Sequence, residues 1–178
     1  MVNIFIPLSD PKEIAKVLDD KRLGKQRVEA KQIITIISGE AKSLAWSNHP
    51  VVLMWKGYVS ELKYYYDCIV LEWIKRGYVN NMHLYKDIEK IKQPKQMPWF
   101  MYCKSILLSH QASLLRKNYA HYHKYFHSKY LKTFMNHSYI WAVESEHYLT
   151  DVQIKYLKDN PNKIIDVDEY AYAYIHKM

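Results

Sequence analysis

Leu18-Asp19-Asp20-Lys21-Arg22-Leu23-Gly24-Lys25-Gln26-Arg27-Val28-Glu29-Ala30-Lys31-Gln32 packs five cations and three carboxylates together, then runs into the apolar Ile33-Ile34-Thr35-Ile36-Ile37. At helical spacing Asp19, Arg22, Gln26 and Glu29 fall within roughly 80° of arc. One face then carries a carboxylate, a guanidinium, an amide and a second carboxylate. Such a face is either solvated surface laced with local ion pairs or a set of groups assembled for chemistry.

The flanking segments predict helices. Val2-Asn3-Ile4-Phe5-Ile6-Pro7 alternates weakly and ends at a proline, as a short strand or an extended arm on the core would. Ser9 or Asp10 caps a helix with Pro11 at its first position, carrying Ile14, Val17 and Leu18. Gly24 either kinks one long helix or separates a short one from a second running from about Lys25 to Ile37, which Ser38-Gly39 ends. Asn48-His49-Pro50 opens the next helix and Lys75-Arg76-Gly77 closes it. Between them Val52, Trp55, Val59, Leu62, Tyr66, Ile69, Val70 and Trp73 form a core stripe. Residues 80–98 read as loop with one short helix near 87–91, and Trp99 to Lys117 as helix. Past Trp141, Thr150-Asp151 caps a short helix to about Lys158. Residues 166–177 form another helix, or a strand in which Tyr170, Tyr172 and Tyr174 alternate.

With 178 residues, 49% of them apolar, the chain can bury a full core. The expectation is an all-α fold: three main helices with short helices and extended loops, as one compact domain over 1–143 and a small acidic extension, 144–178, packed on or beside it. Cys68 and Cys103 form no CxxC pair and read as buried thiols of a reduced, intracellular, unsecreted protein. No apolar stretch is long enough to span a membrane.

Charge is unevenly placed. Residues 1–89 hold 13 Lys/Arg against 11 Asp/Glu, and residues 144–178 hold 4 against 7. Residues 90–143 hold 9 Lys/Arg and no carboxylate at all. Ordinary surface mixes signs, so this segment points to a polyanion, of which nucleic acid is the commonest. Within it, Tyr119-Ala120-His121-Tyr122-His123-Lys124-Tyr125-Phe126-His127-Ser128-Lys129-Tyr130 interleaves rings with cations, a composition suited to base stacking and phosphate contact.

Most active-site chemistries find no motif. His121, His123 and His127 lie at i, i+2 and i+6 with no Cys close by, so neither metal nor cofactor is expected. No Gly-x-Ser-x-Gly and no Gly-rich phosphate loop occur. An α-amine, with a pKa near 8, remains available as a nucleophile toward a sugar aldehyde. A carboxylate beside it would stabilise an oxocarbenium-like sugar. An N-terminal arm packed on the charged helix would bring the two together.

At these residues the chain resembles the phage-type pyrimidine-dimer DNA glycosylases, in a divergent viral and bacterial branch. The resemblance runs over about 1–130. It is diffuse in Asn3-Ile4-Phe5-Ile6 and the Arg22…Arg27-Val28 helix. It is best in Glu61-Leu62-Lys63-Tyr64…Cys68-Ile69-Val70-Leu71-Glu72-Trp73-Ile74-Lys75-Arg76-Gly77-Tyr78. It returns in Ser109-His110-Gln111-Ala112…Arg116-Lys117 and in Tyr122-His123-Lys124-Tyr125-Phe126, similar to the family's Trp-Tyr-Lys-Tyr-Tyr. Leu23-Gly24-Lys25-Gln26-Arg27-Val28-Glu29 with Asn48-His49-Pro50 and Met54-Trp55 marks the branch.

The resemblance implies an N-glycosylase with abasic-site lyase activity on pyrimidine dimers in duplex DNA, acting as a monomer. Removal of Met1 would expose the amine of Val2, where the family usually has Thr, as the nucleophile. Arg22, Arg27 and Arg116 match phosphate-gripping arginines, and Lys25, Gln26, Lys117, Tyr122, Lys124 and Tyr125 complete the expected DNA-contacting set. In one respect the chain departs from the pattern. The family's catalytic glutamate would fall on Leu23, Gly24 or Gln26, none an acid. Glu29 is the expected substitute, and Asp19 the alternative. A rival expectation is a non-catalytic nucleic-acid-binding protein using 90–143.

Overall fold

The computed structural model describes residues 2–43, 45–86, 90, 92, 94, 96–128, 131–135, 139–142 and 173–176. Among the described residues the fold is all-α apart from one short antiparallel strand pair. The chain divides into two units, residues 1–5 with 10–97, and residues 6–9 with 98–178. The expected boundary at 143–144 and the helix from Thr150 lie outside the described residues, and so does nearly all of the short helix expected near 87–91.

In the first unit, residues 2–5 are an extended arm with Ile4 and Phe5 buried. Helix α1, Pro11–Val17, starts as expected, its N-cap Asp10 accepting the Lys12 N–H at 2.8 Å. Helix α2, Asp20–Ile37, corrects both readings of Gly24. The chain breaks at Leu18-Asp19, where Leu18 is extended and the Asp19 carboxylate caps α2 by accepting the Arg22 N–H at 2.8 Å. Gly24 lies inside an unbroken helix. A Cβ there would come within 2.9 Å of the Trp73 ring, so the glycine makes room for that ring.

The long helix expected from Pro50 is two: α3, Pro50–Trp55, and α4, Val59–Lys75. Gly57, at φ +87, takes the left-handed conformation that breaks it. The predicted stripe is nonetheless core, with Trp55, Leu62, Tyr66, Ile69 and Val70 fully buried. Helix α4 packs on both α1 and α2.

Arg76, at the end of α4, closes this unit. Its Nη1 donates to the Leu18 carbonyl (2.8 Å) and to Asp20 Oδ1 (2.9 Å), its Nη2 to the carbonyls of Ala15 and Lys16 (3.0 Å each), and its Nε to Glu72 Oε1 (3.0 Å). All five guanidinium protons are used, and two carbonyls that α1 leaves without an intrahelical partner, those of Ala15 and Lys16, are satisfied. Arg76→Ala is expected to cost about 2–3 kcal/mol, as loss of hydrogen bonds to a charged group does. Arg76→Lys recovers little of it, because an ammonium cannot reproduce the fork. Urea denaturation of both variants checks this.

In the second unit, the helix expected over Trp99–Lys117 divides into a 3-10 turn, Trp99–Tyr102, and α5, Lys104–Lys117, with Cys103 extended between them. The segment 6–9 belongs to α5: the Ile6 N–H donates to His110 Nδ1 at 3.3 Å, and Gln111 Nε2 to the Pro7 carbonyl at 2.8 Å. His110 is fully buried, and burial lowers its pKa to about 3, so it accepts as a neutral ring. Helices α6, Tyr119–Tyr122, and α7, Leu131–Phe134, follow. Strand β1, Tyr139–Ala142, pairs antiparallel with β2, Ala173–His176, so strand is the outcome at the end of the chain. Cys68 and Cys103 are both free and buried, as expected.

Candidate active site and nucleic-acid faces

The predicted helix face is real, but its members serve different purposes. Gln26 is completely buried. Its Oε1 accepts the Phe5 N–H at 2.9 Å and lies 2.7 Å from the Tyr65 hydroxyl. Its Nε2 donates to the Asn3 carbonyl at 2.8 Å and to Glu29 Oε2 at 2.9 Å. The Tyr65 hydroxyl also lies 3.0 Å from the Phe5 carbonyl, so its one proton faces two acceptors. One amide therefore ties the N-terminal arm, α2 and α4 together. The sequence reading put Gln26 against DNA; the structure buries it and shares its hydrogen bonds among the arm, Tyr65 and Glu29.

Glu29 is 5% exposed. One oxygen accepts from Gln26 and the other pairs with Lys25 Nζ at 3.2 Å. Burial raises its pKa above the ordinary 4.5. The Lys25 ammonium, the Asn3 backbone and the amino-terminal charge oppose that rise without cancelling it. A buried carboxylate with a raised pKa beside the arm is the kind of group that proton transfer uses.

Asp19, the alternative, is buried too, but it is spent on capping α2 and on Arg22, whose Nη1 lies 3.1 Å from its Oδ2. Arg27 sits over the Trp73 ring at 4.1 Å and donates from Nη1 to Asn80 Oδ1 at 3.0 Å. Lys25 is exposed along its side chain, apart from its contact with Glu29. Val2 is half-buried, one residue before the Asn3 carbonyl that Gln26 holds. Tyr65 and Asn3 belong to this cluster and were not singled out on sequence. Tyr65 sits in an apolar helix pattern, and nothing in that pattern distinguishes a hydroxyl with a partner from one without.

In the second unit the basic aromatic segment separates into core and surface. Tyr122 is buried and stacks with Phe126, so it supports the fold instead of reaching DNA. Tyr125, 41% exposed, carries Lys124 over its ring at 5.1 Å. Tyr119, 68% exposed, stacks on His123, a pair the i, i+4 spacing would have revealed. Lys117 is exposed, and Arg116 Nη1 donates to the Met135 carbonyl at 2.7 Å. Among the described residues no group of three His, Cys, Asp or Glu is placed to hold a metal ion, and no helix is long and apolar enough to cross a membrane.

The arm is thus held through Gln26 to a buried glutamate on a helix rich in cations. The family model described as pyrimidine dimer DNA glycosylase matches residues 2–86, which include the arm, Gln26, Glu29 and Tyr65. The resemblance seen in the sequence thus holds for this segment, and at family level it is that of a DNA-repair glycosylase. The match ends before the Ser109 and Tyr122 motifs. No curated protein and no solved structure matches the chain.

Proposed function

We propose that this protein is an N-glycosylase with abasic-site lyase activity that excises pyrimidine dimers from ultraviolet-damaged duplex DNA. The observation that carries this reading is the fastening of the N-terminal arm to Glu29 through Gln26. With Met1 removed, the Val2 amine attacks C1′ of the damaged nucleotide. The C1′–N bond breaks, and its electron pair leaves with the base. Glu29 as carboxylate stabilises the cationic sugar while that bond breaks. The attached amine gives up a proton, its nitrogen lone pair forms the C1′=N bond as the C1′–O4′ bond breaks, and O4′ takes up the proton, which leaves a ring-opened protonated imine. Glu29 then takes the C2′ proton, and elimination expels the 3′ phosphate and nicks the strand. Arg22, Lys25 and Arg27 contact phosphates around the lesion. Arg116, Lys117, Lys124 and Tyr125 offer further phosphate and base contacts from the second unit. Lesions are distinguished by the ease with which a distorted duplex bends and releases a nucleotide.

The test is reductive trapping. Borohydride added during reaction with dimer-containing duplex should fix a covalent protein–DNA species whose peptide map places the DNA on the Val2 amine. Protein bearing an extra N-terminal residue should trap poorly. Absence of any covalent species from protein whose mass shows a free Val2 terminus would sink the reading.

A further inference from the structure

Two sets of cations stand out in the first unit. Lys16, Arg22, Lys25, Lys75 and Arg76 each pair with a carboxylate. Arg27, Lys31 and Lys63 are each half-buried, and none has an ion pair among the described residues. They rest on aromatic faces instead. Arg27 lies 4.1 Å from the Trp73 centroid. Lys31 and Lys63 lie 4.4 and 4.8 Å from the same Tyr85 ring, and Lys31 Nζ also donates to the Tyr85 hydroxyl at 2.8 Å.

Two ammonium groups on one ring repel each other, and an aromatic face compensates only part of that cost. The nearby acid does not neutralise them. Asp67 is fully buried, accepts the Tyr85 N–H at 2.8 Å, and has its pKa raised by burial. Its role is to hold Tyr85 in place. Tyr66 adds to this, meeting the Tyr85 ring edge-on at 5.2 Å and donating its hydroxyl to the His83 carbonyl at 3.0 Å. Tyr85 is thus held through its N–H by Asp67 and at its ring by Tyr66, while two cations without ion pairs among the described residues converge on the ring. Arg27, one turn before Lys31 on α2, continues the row.

We propose that Lys31 and Lys63, seated on Tyr85, bind backbone phosphates of duplex DNA and extend the contact begun by Arg27. The proposal rests on the glycosylase reading for its choice of polyanion. Unneutralised, pre-positioned cations suit a ligand that brings the charge with it and releases counterions on binding.

The measurement is affinity of the full chain for undamaged duplex across a salt series. For Lys31→Gln combined with Lys63→Gln, the slope of log affinity against log salt should fall by about 1.8, at about 0.9 per lost phosphate contact. Affinity at low salt should weaken regardless of sequence. Lys31→Arg with Lys63→Arg should restore the slope. Thermal midpoints separate out a structural role, which would lower the melting temperature of the glutamine variant and leave the slope of the folded protein where it was. An unchanged slope overturns the proposal. So does saturable binding of inorganic phosphate, lost in the glutamine variant, with the DNA slope unaltered. Undamaged duplex forms no imine, so failure here and failure of trapping are distinguishable.

Discussion

Glu29→Gln is expected to reduce base excision by about 10²–10⁴-fold, the usual contribution of a positioned proton-transfer group, while affinity for damaged duplex stays close to wild type. The amide is nearly isosteric and still offers an oxygen to Gln26 Nε2, which donates to Glu29 at 2.9 Å. What it loses is negative charge near the arm and the ability to accept a proton. The pair with Lys25, whose side chain is 58% exposed, contributes little to stability, so the fold should survive. Single-turnover cleavage on a dimer-containing oligonucleotide, beside a binding titration on the same duplex, reads both quantities. Wild-type excision by this variant would move the assignment to Asp19.

The same substitution carries a pH signature whose sign follows from burial. The folded-state pKa of Glu29 lies above its unfolded value. Its contribution to stability is therefore fully present below the unfolded pKa and is lost as pH rises through the folded one. Wild type should lose stability relative to Glu29→Gln as pH rises from the ordinary carboxylate range through the raised folded-state pKa. Activity should run the other way. It should rise as the Glu29 carboxylate forms and again as the Val2 amine, near pKa 8, gives up its proton. Paired melting curves and a pH–rate profile check the two trends. A stability difference between the proteins that does not vary with pH would contradict the buried, pKa-raised carboxylate.

Much of this arrangement is legible in the sequence because helical spacing is a strong constraint. The one-face alignment of Asp19, Arg22, Gln26 and Glu29 needs only the period of a helix, and the helix starts at Asp10 and at His49-Pro50 need only local chemistry. What spacing cannot disclose is which partner a residue meets. Gly24 reads as a breaker because its reason, the Trp73 ring, lies far along the chain. Gly57 breaks a pattern that otherwise continues, since apolar periodicity does not register one left-handed residue. Tyr122 and Tyr125 look alike among alternating rings and cations, yet one is core and the other surface. Gln26 is misplaced for the same reason. On a charged helix an amide looks like surface until the arm that covers it is seen.

That arm makes Gln26 the residue whose replacement has the largest structural effect. Gln26→Ala should destabilise the protein by about 3–5 kcal/mol, because it opens a cavity and strands buried groups at 1–3 kcal/mol each. The Phe5 N–H, the Asn3 carbonyl and Glu29 Oε2 all lose a partner at once. Loss of activity in that variant is uninformative by itself, since the arm would detach. Gln26→Glu is the sharper test. A carboxylate there keeps the shape and still accepts from Phe5 and Tyr65. It cannot donate to the Asn3 carbonyl, and it sets a second buried acid against Glu29. Two carboxyls in contact share one proton, so one of them titrates well above the ordinary range. The expected result is a protein that folds at low pH, loses stability steeply toward neutrality, and shifts the rising limb of its pH–rate profile to higher pH. A surface residue that only touches DNA would instead change binding and its salt dependence, leaving the pH profile of trapping where it was. A Gln26→Glu variant with wild-type melting and an unshifted profile would show that the arm is not held to Glu29 through this amide.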